Sequence, residues 1–315
     1  MKKIAILLAL TVLLFGCKQE ESKQQGESGH KISAEAVHID ESNPVKIGFM
    51  ICNSPKETTE RFAPIAQYLS EKTGRRFNFI IANTFEFEDL IRDKKIDFFH
   101  GNSMLAITFN EKYAMQLLTV DKRGRDGHKS TGTIIALKSS GIKSYADLKD
   151  KKMVFGPALA PFGFMAQYDL MLSNGIDPED DLAYYAIPWG SAKHDKVIYG
   201  VLFGRYDVGA APRIDVDLMA HEGKINMDDF VIIGESEQMP YCTVAALAHA
   251  DKDLAAKAKE ALLNITYDDT VQMDGEVVKV LKAAWLDGWA EAVDSEYDVM
   301  RNKMKKLNMD PYKKF

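Results

Sequence analysis

Cysteine is scarce in this 315-residue chain: three are present, and only Cys52 and Cys242 lie beyond the first forty residues. A disulfide scaffold is therefore excluded; at most one bond joins the body. Clustered basic residues are missing and the net charge is −6, which argues against nucleic acid as a partner. Also absent are a Ser-His-Asp order with a nucleophile elbow, H-E-x-x-H, a P-loop, a dinucleotide fingerprint and any arrangement of paired carboxylates. These gaps argue against catalysis, and nothing implies a cofactor. Histidines stand dispersed at 30, 38, 100, 128, 194, 221 and 249, with no local spacing suited to a metal. No repeat is visible.

The chain opens M-K-K-I-A-I-L-L-A-L-T-V-L-L-F-G-C. Two lysines and a short apolar run ending in L-F-G-C read as a secretory signal over 1–16 with a lipobox. The run is shorter than the roughly 20 residues a permanent span needs. Cys17 is then the lipidated N-terminus, mooring a soluble body outside the cytoplasm on a bacterial membrane. Residues 17–44 are polar and charged, a flexible tether. The remaining 270 or so residues suffice for two lobes or one large α/β unit.

From Pro44 onward strands alternate with helices. V-K-I-G-F-M-I-C, F-N-F-I-I-A and I-D-F-F-H-G-N read as strands, with T-E-R-F-A-P-I-A-Q-Y-L-S-E-K-T and F-E-D-L-I-R-D as helices between them. T-G-T-I-I-A-L is the next strand, and I-K-S-Y-A-D-L-K-D-K-K-M-V-F-G-P opens a second unit running to about residue 234. That alternation predicts an α/β fold with mostly parallel sheets. V-F-G-P-A-L-A-P-F-G-F-M-A-Q-Y predicts a strand, a tight turn and a helix beginning near Pro161, a place where anions bind. M-P-Y-C-T-V-A-A-L-A reads as one strand. Residues 268–315 read as helical, with Trp285 and Trp289 on one helix face.

Taken together, G-F-M-I-C-N-S-P, I-D-F-F-H-G-N, T-G-T-I-I-A-L-K-S-S-G-I-K-S-Y-A-D-L-K-D-K-K, H-D-K-V-I-Y-G-V-L-F-G-R-Y-D-V-G-A-A and M-P-Y-C-T-V resemble the periplasmic phosphonate- and phosphite-binding proteins of ABC importers. Their order and spacing carry the resemblance from about Val45 to Tyr297. It implies a monomeric, two-lobe, type II-like periplasmic binding protein without catalysis. Lobe one is 45–133 plus 238–315 and lobe two 134–237, hinged by strands crossing near Thr133 and Tyr241. The ligand, a small oxyanion, sits in the cleft at the carboxyl ends of strands. The implied partner is an ABC permease. The family also contains arsenic-oxyanion receptors, for which the partner is a sensor histidine kinase.

The resemblance also places the pocket. Where phosphonate binders carry Ser-Thr-Ser before a glycine, this chain has Ala160, Pro161 and Phe162 before Gly163, so three hydroxyl donors are lost. The amides of Phe162, Gly163 and Phe164 remain. His100 replaces a family tyrosine ahead of Gly101 and Asn102, and His194 matches a family histidine. Of two acidic positions that hold an ammonium group, one falls near Arg213-Ile214-Asp215 and the other on Cys242, beside Tyr241. A guanidinium and a thiol there argue against an amino-alkyl phosphonate. Cys52, with Asn53 and Ser54, lies in another cleft loop. Cys52 and Cys242 are then bonded to each other, inert, or soft ligands suited to an arsenic centre.

Overall fold

The computed structural model describes residues 38–188 and 194–314. The signal peptide, Cys17 and most of the tether lie outside that range.

The chain begins with β1 (Asp40–Met50), α1 (Pro55–Thr73), β2 (Arg75–Ala82), α2 (Phe87–Arg92), β3 (Phe98–Gly101), α3 (Ser103–Tyr113) and β4 (Gln116–Lys122). A short β5 (Lys129–Ser130) leads to β6 (Gly132–Leu137) and β7 (Lys152–Val154). Then come α4 (Ala166–Ser173), α5 (Pro178–Asp181), β8 (Tyr184–Ala186), α6 (His194–Leu202), β9 (Val208–Pro212), α7 (Arg213–His221) and β10 (Phe230–Glu235). β11 (Met239–Pro240) precedes β12 (Thr243–Ala246), α8 (Lys252–Asn264), β13 (Thr270–Met273), β14 (Glu276–Lys279), α9 (Val280–Ala284), β15 (Gly288–Glu291) and α10 (Asp298–Lys306).

Two sheets result, ordered β15-β4-β12-β3-β1-β2 and β10-β6-β9-β7-β8. Each is mixed rather than mostly parallel. The pairs β1–β2, β1–β3, β7–β8 and β7–β9 are parallel; the other pairs in both sheets are antiparallel. The reason is topological. β6 and β12 enter their sheets from the crossings, without the helical crossover that parallel neighbours require, and so run against the strands on either side. β5 and β11 pair antiparallel as a two-stranded ribbon, so the chain passes between the sheets at about 128–132 and 236–242. Thr133 itself already belongs to β6.

Each sheet is covered on both faces, as a two-lobe α/β protein requires. On the first, Phe49, Phe62, Leu69, Phe98, Leu262 and Trp289 form one core and Phe87, Phe99 and Phe109 the other. α1 explains why this order is stable. Ser54 caps it by accepting from the Glu57 amide, Pro55 occupies its first position, and Gly74 closes it at φ 72°. On the second sheet, Met153, Phe155 and Met171 pack one face, and Val197, Val201 and Val216 the other. Met104, Phe162, Met239, Tyr297 and Met300 join elements of both halves. Beside them Asp169 of α4 takes Lys303 Nζ at 2.7 Å and Lys306 Nζ at 2.6 Å from α10.

The C-terminal region departs from the helical reading. Residues 270–279 form a hairpin turning at Asp274 (φ 52°) and Gly275 (φ 85°), a type I′-like turn that an Asp-Gly pair favours. Trp285 ends α9 in the left-handed region (φ 58°) and Trp289 sits in β15, so the two do not share a helix face. M-P-Y-C-T-V is likewise two strands, β11 and β12, broken at Tyr241-Cys242.

Candidate functional site

The strand order sets the site. Along one edge of the first sheet stand Arg123 after β4, Cys242 before β12, Asn102 after β3 and Cys52 after β1. Adjacent strands lie about 4.8 Å apart, so these positions form a row. Facing them is the turn between β7 and α4, whose first residues Pro161–Met165 form a π-helical turn leading into α4, with Pro161 where a helix start was expected. Between them lies a cavity of about 1000 Å³. Cys52, Asn53, His100, Asn102, Phe162, His194, Tyr241 and Cys242 all line it.

Four expected residues do not line it. Ser54 spends its hydroxyl capping α1. Gly101 is a packing glycine: a Cβ there would lie 2.5 Å from the Phe99 ring. Gly163 sits behind His194. Arg213 turns away, donating from Nε to Asp217 at 2.8 Å and from Nη1 to Glu235 at 2.9 Å. Asp215 occupies the cavity wall instead. Two residues along a helix is roughly 200°, so Arg213 and Asp215 face opposite ways. The argument against an amino-alkyl phosphonate therefore loses its arginine and keeps only the thiol at Cys242. The Phe164 amide is also spent, on the Ala160 carbonyl at 3.1 Å.

Three charged side chains that pattern reading passed over build the floor. Arg123 Nη1 donates to Tyr241 Oη at 3.1 Å and stands 3.6 Å from Asp215 Oδ1. Burial alone would lower its pKa, but Tyr241 and Asp215 outweigh it and keep the guanidinium charged. At 3.6 Å the Asp215 contact is longer than a hydrogen bond, so donor capacity remains for a ligand. Arg61 is buried, with Nε and Nη2 on the Ala284 carbonyl at 3.2 and 3.1 Å and its guanidinium 4.5 Å from the Trp285 ring centroid. Asp121 Oδ2 lies 2.9 Å from His100 Nε2, and each residue is only 1% exposed. The sequence signal was present in L-L-T-V-D-K-R, an alternating strand that ends in a carboxylate and a guanidinium.

His194 packs on Gly156 and Gly163, where an added Cβ would meet its Cε1 at 2.9 and 2.4 Å. Burial pulls its imidazole below the ordinary value, so at neutral pH it is uncharged, and its Nδ1 has no partner among the described residues. Cys52 and Cys242 are both free, which overturns the disulfide alternative. Desolvation pushes both thiols up, Cys242 well above the ordinary thiol range with Asp121 adding to it. Protonated thiols are poor soft ligands and poor nucleophiles, which favours the inert reading. Asn102 caps α3 and reaches across the cavity to the Leu159 carbonyl at 3.0 Å. No three His, Cys, Asp or Glu side chains group as metal ligands among the described residues.

A cavity at strand ends between two α/β sheets joined by paired crossing strands defines a two-lobe solute receptor. The chain belongs to the family described as the phosphonate periplasmic substrate-binding proteins of ABC transporters, which residues 47–297 match. These are binding proteins rather than enzymes, and the family is extracytoplasmic. Among solved structures it is similar to PhnD1 of Prochlorococcus marinus in complex with methylphosphonate (TM-score 0.70, 15% identity, 84% of this chain and 98% of that one). A binding component of an ABC phosphonate transporter from Pseudomonas aeruginosa gives 0.66 at 15% identity, over 82% and 85% of the two chains. A Xanthomonas citri protein bound to ATP gives 0.67 at 17%, over 85% and 98%. A curated relative, the tetrathionate sensor histidine kinase TtrS of Salmonella typhimurium, is 22% identical over 233 residues. The match takes in 69% of this chain but only 39% of that kinase's length.

Proposed function

We propose that the protein is a membrane-tethered receptor that captures a small oxyanion of the phosphonate, phosphite or phosphate kind and delivers it to an ABC permease. It acts as a monomer, moored through a lipid on Cys17. The observation that carries the ligand class is Arg123: a half-buried, charged guanidinium held by Tyr241, with unspent donors on the cavity side. A guanidinium offers an oxyanion two parallel hydrogen bonds, each worth about 1.5–3 kcal/mol. Phe162 and His194, from the facing half, close the other side. We place the lobes at 45–133 with 238–315, and 134–237. The β5–β11 ribbon is the hinge, and a ligand touching both halves favours closure.

The test is a melting series against phosphate, phosphite, methylphosphonate, arsenate, arsenite and tetrathionate. A specific ligand at a hundred times its dissociation constant adds about 2.7 kcal/mol. If no oxyanion raises the melting temperature at millimolar concentration, the reading is wrong.

A second reading keeps the site and changes the output. The receptor's closed form reports an arsenic or sulfur oxyanion to a sensor histidine kinase, which the similarity to TtrS favours. Stabilisation by arsenite, arsenate or tetrathionate alone selects it. Loss of arsenite binding on thiol alkylation would further assign that ligand to the cysteines, against the burial that holds them protonated.

A further inference from the structure

The cavity floor carries a feature that oxyanion capture by Arg123 leaves unused. Asp121 and His100 both line the cavity, each 1% exposed. A carboxylate only accepts hydrogen bonds, so the 2.9 Å contact places a proton on His100 Nε2 and spends Asp121 Oδ2. Asp121 Oδ1 and His100 Nδ1 are left buried without a partner among the described residues. The rings of Phe49 and Phe62, 5.1 and 4.9 Å from the imidazole, offer no donor there. An unsatisfied buried carboxylate oxygen is costly, and only a donor relieves it.

Arg123 lies two residues beyond Asp121, so in an extended segment both point to the same side. An anion held by Arg123 thus lies beside a carboxylate that repels it unless one of its oxygens carries a proton. We propose that Asp121, held by His100, selects the protonated form of the ligand: it accepts the acidic O–H of a hydrogen phosphonate or hydrogen phosphate and rejects anions that carry no proton. This rests on the oxyanion reading and narrows its ligand class. A site built to accept a ligand hydroxyl rejects analogues lacking it by factors of about 10⁴, because its own group is stranded. Repulsion between the carboxylate and a proton-free anion acts in the same direction.

Calorimetric titration of the full chain with methylphosphonate, inorganic phosphate and sulfate tests this. The wild type is expected to bind the two protonatable anions at least about 100-fold tighter than sulfate. Above the ligand's second ionisation, its affinity for methylphosphonate, taken relative to sulfate, falls about tenfold per pH unit as the protonated fraction falls. The ratio is taken because any change in the charge of the surrounding site acts on both anions. The other groups facing the carboxylate are Cys242, Cys52, Tyr297 and Arg123. All four are raised and stay protonated through neutral pH, the thiols and the phenol neutral and Arg123 charged. Asp121→Asn presents an amide donor, so it gains sulfate binding and flattens the pH slope. Equal wild-type affinity for sulfate and methylphosphonate, or an unchanged preference in Asp121→Asn, overturns the proposal while oxyanion binding stands. In that case Oδ1 is satisfied internally, as by the indole of Trp289, its cross-strand neighbour. If Asp121→Asn does not fold, the wild-type sulfate ratio and pH slope decide. Failure to bind any of the three anions, and phosphite as a fourth, overturns the oxyanion reading as well.

Discussion

Gly163→Ala adds one methyl group and sets two effects against each other. The residue lies in the π-helical turn and its φ is not positive, so alanine fits the backbone and gains about 1 kcal/mol of helix propensity. Against this, the new Cβ would stand 2.4 Å from His194 Cε1 and 2.9 Å from Nδ1, with the Gly156 Cα at 3.3 Å behind. Contacts that short force the ring or the turn to move, and overpacking costs about 1–3 kcal/mol. The clash is expected to win by up to about 2 kcal/mol, lowering the melting temperature by up to about 8 °C. His194→Ala removes the obstacle, so Gly163→Ala in that background should be neutral or stabilising. A four-protein cycle read by urea denaturation should return a coupling of about 1–3 kcal/mol, the size of the clash itself. Because the ring can also escape into the cavity, methylphosphonate affinity is measured alongside and should weaken in Gly163→Ala. Equal effects of Gly163→Ala in both backgrounds, with binding unchanged, would falsify the seating of His194 on the two glycines.

Three further outcomes follow from the same contacts. Arg123→Lys keeps the charge but loses the fork, so oxyanion affinity should drop about 10–100-fold by calorimetry; an unchanged affinity removes Arg123 from the site. Desolvation raises the Asp169 carboxyl, but bonds from Lys303 and Lys306 outweigh it and hold it below the ordinary range. Its stability contribution is thus present above the ordinary carboxylate value and lost as pH falls through the folded one. Asp169→Asn should cost about 3 kcal/mol at pH 7 and less in acid, and a cost independent of pH would contradict the ion pair. Both thiols should react slowly with iodoacetamide at pH 7 and faster above the ordinary thiol range. Rapid labelling at neutral pH would mean the cavity wall does not desolvate them.

What could be read from the sequence followed the range of the signal. α1 was plain because cap, proline, apolar stripe and terminal glycine agree over nineteen residues. His100, Phe162 and His194 line the cavity, and each stands at a strand end or helix start, positions that local punctuation marks. β4 was passed over. It follows α3 after a two-residue turn through Ala114 at φ 51°, without the glycine or proline that announces a break. That omission hid Asp121 and Arg123, the two groups on which the ligand argument now turns. The helix expected over 270–279 is replaced by a hairpin, because the Asp-Gly turn flanked by T-V-Q-M and E-V-V-K is a local signal stronger than the helical pattern around it.

The pairing of charges was beyond sequence altogether. Arg213, Asp215 and Asp217 fall in five consecutive residues, yet only the helix phase decides which one faces Arg123. Phase put Arg213 with Asp217 and Glu235 and left Asp215 opposite Arg123, a partner ninety-two positions earlier in the chain. The cavity is consequently not a bare cationic cup: Arg123 faces Asp215, Arg61 lies 3.6 Å from Glu57, and His100 holds Asp121. An anion entering such a site must exchange against carboxylates already present. Selectivity then depends less on how much positive charge the floor carries than on which acceptor a ligand can satisfy with a proton of its own.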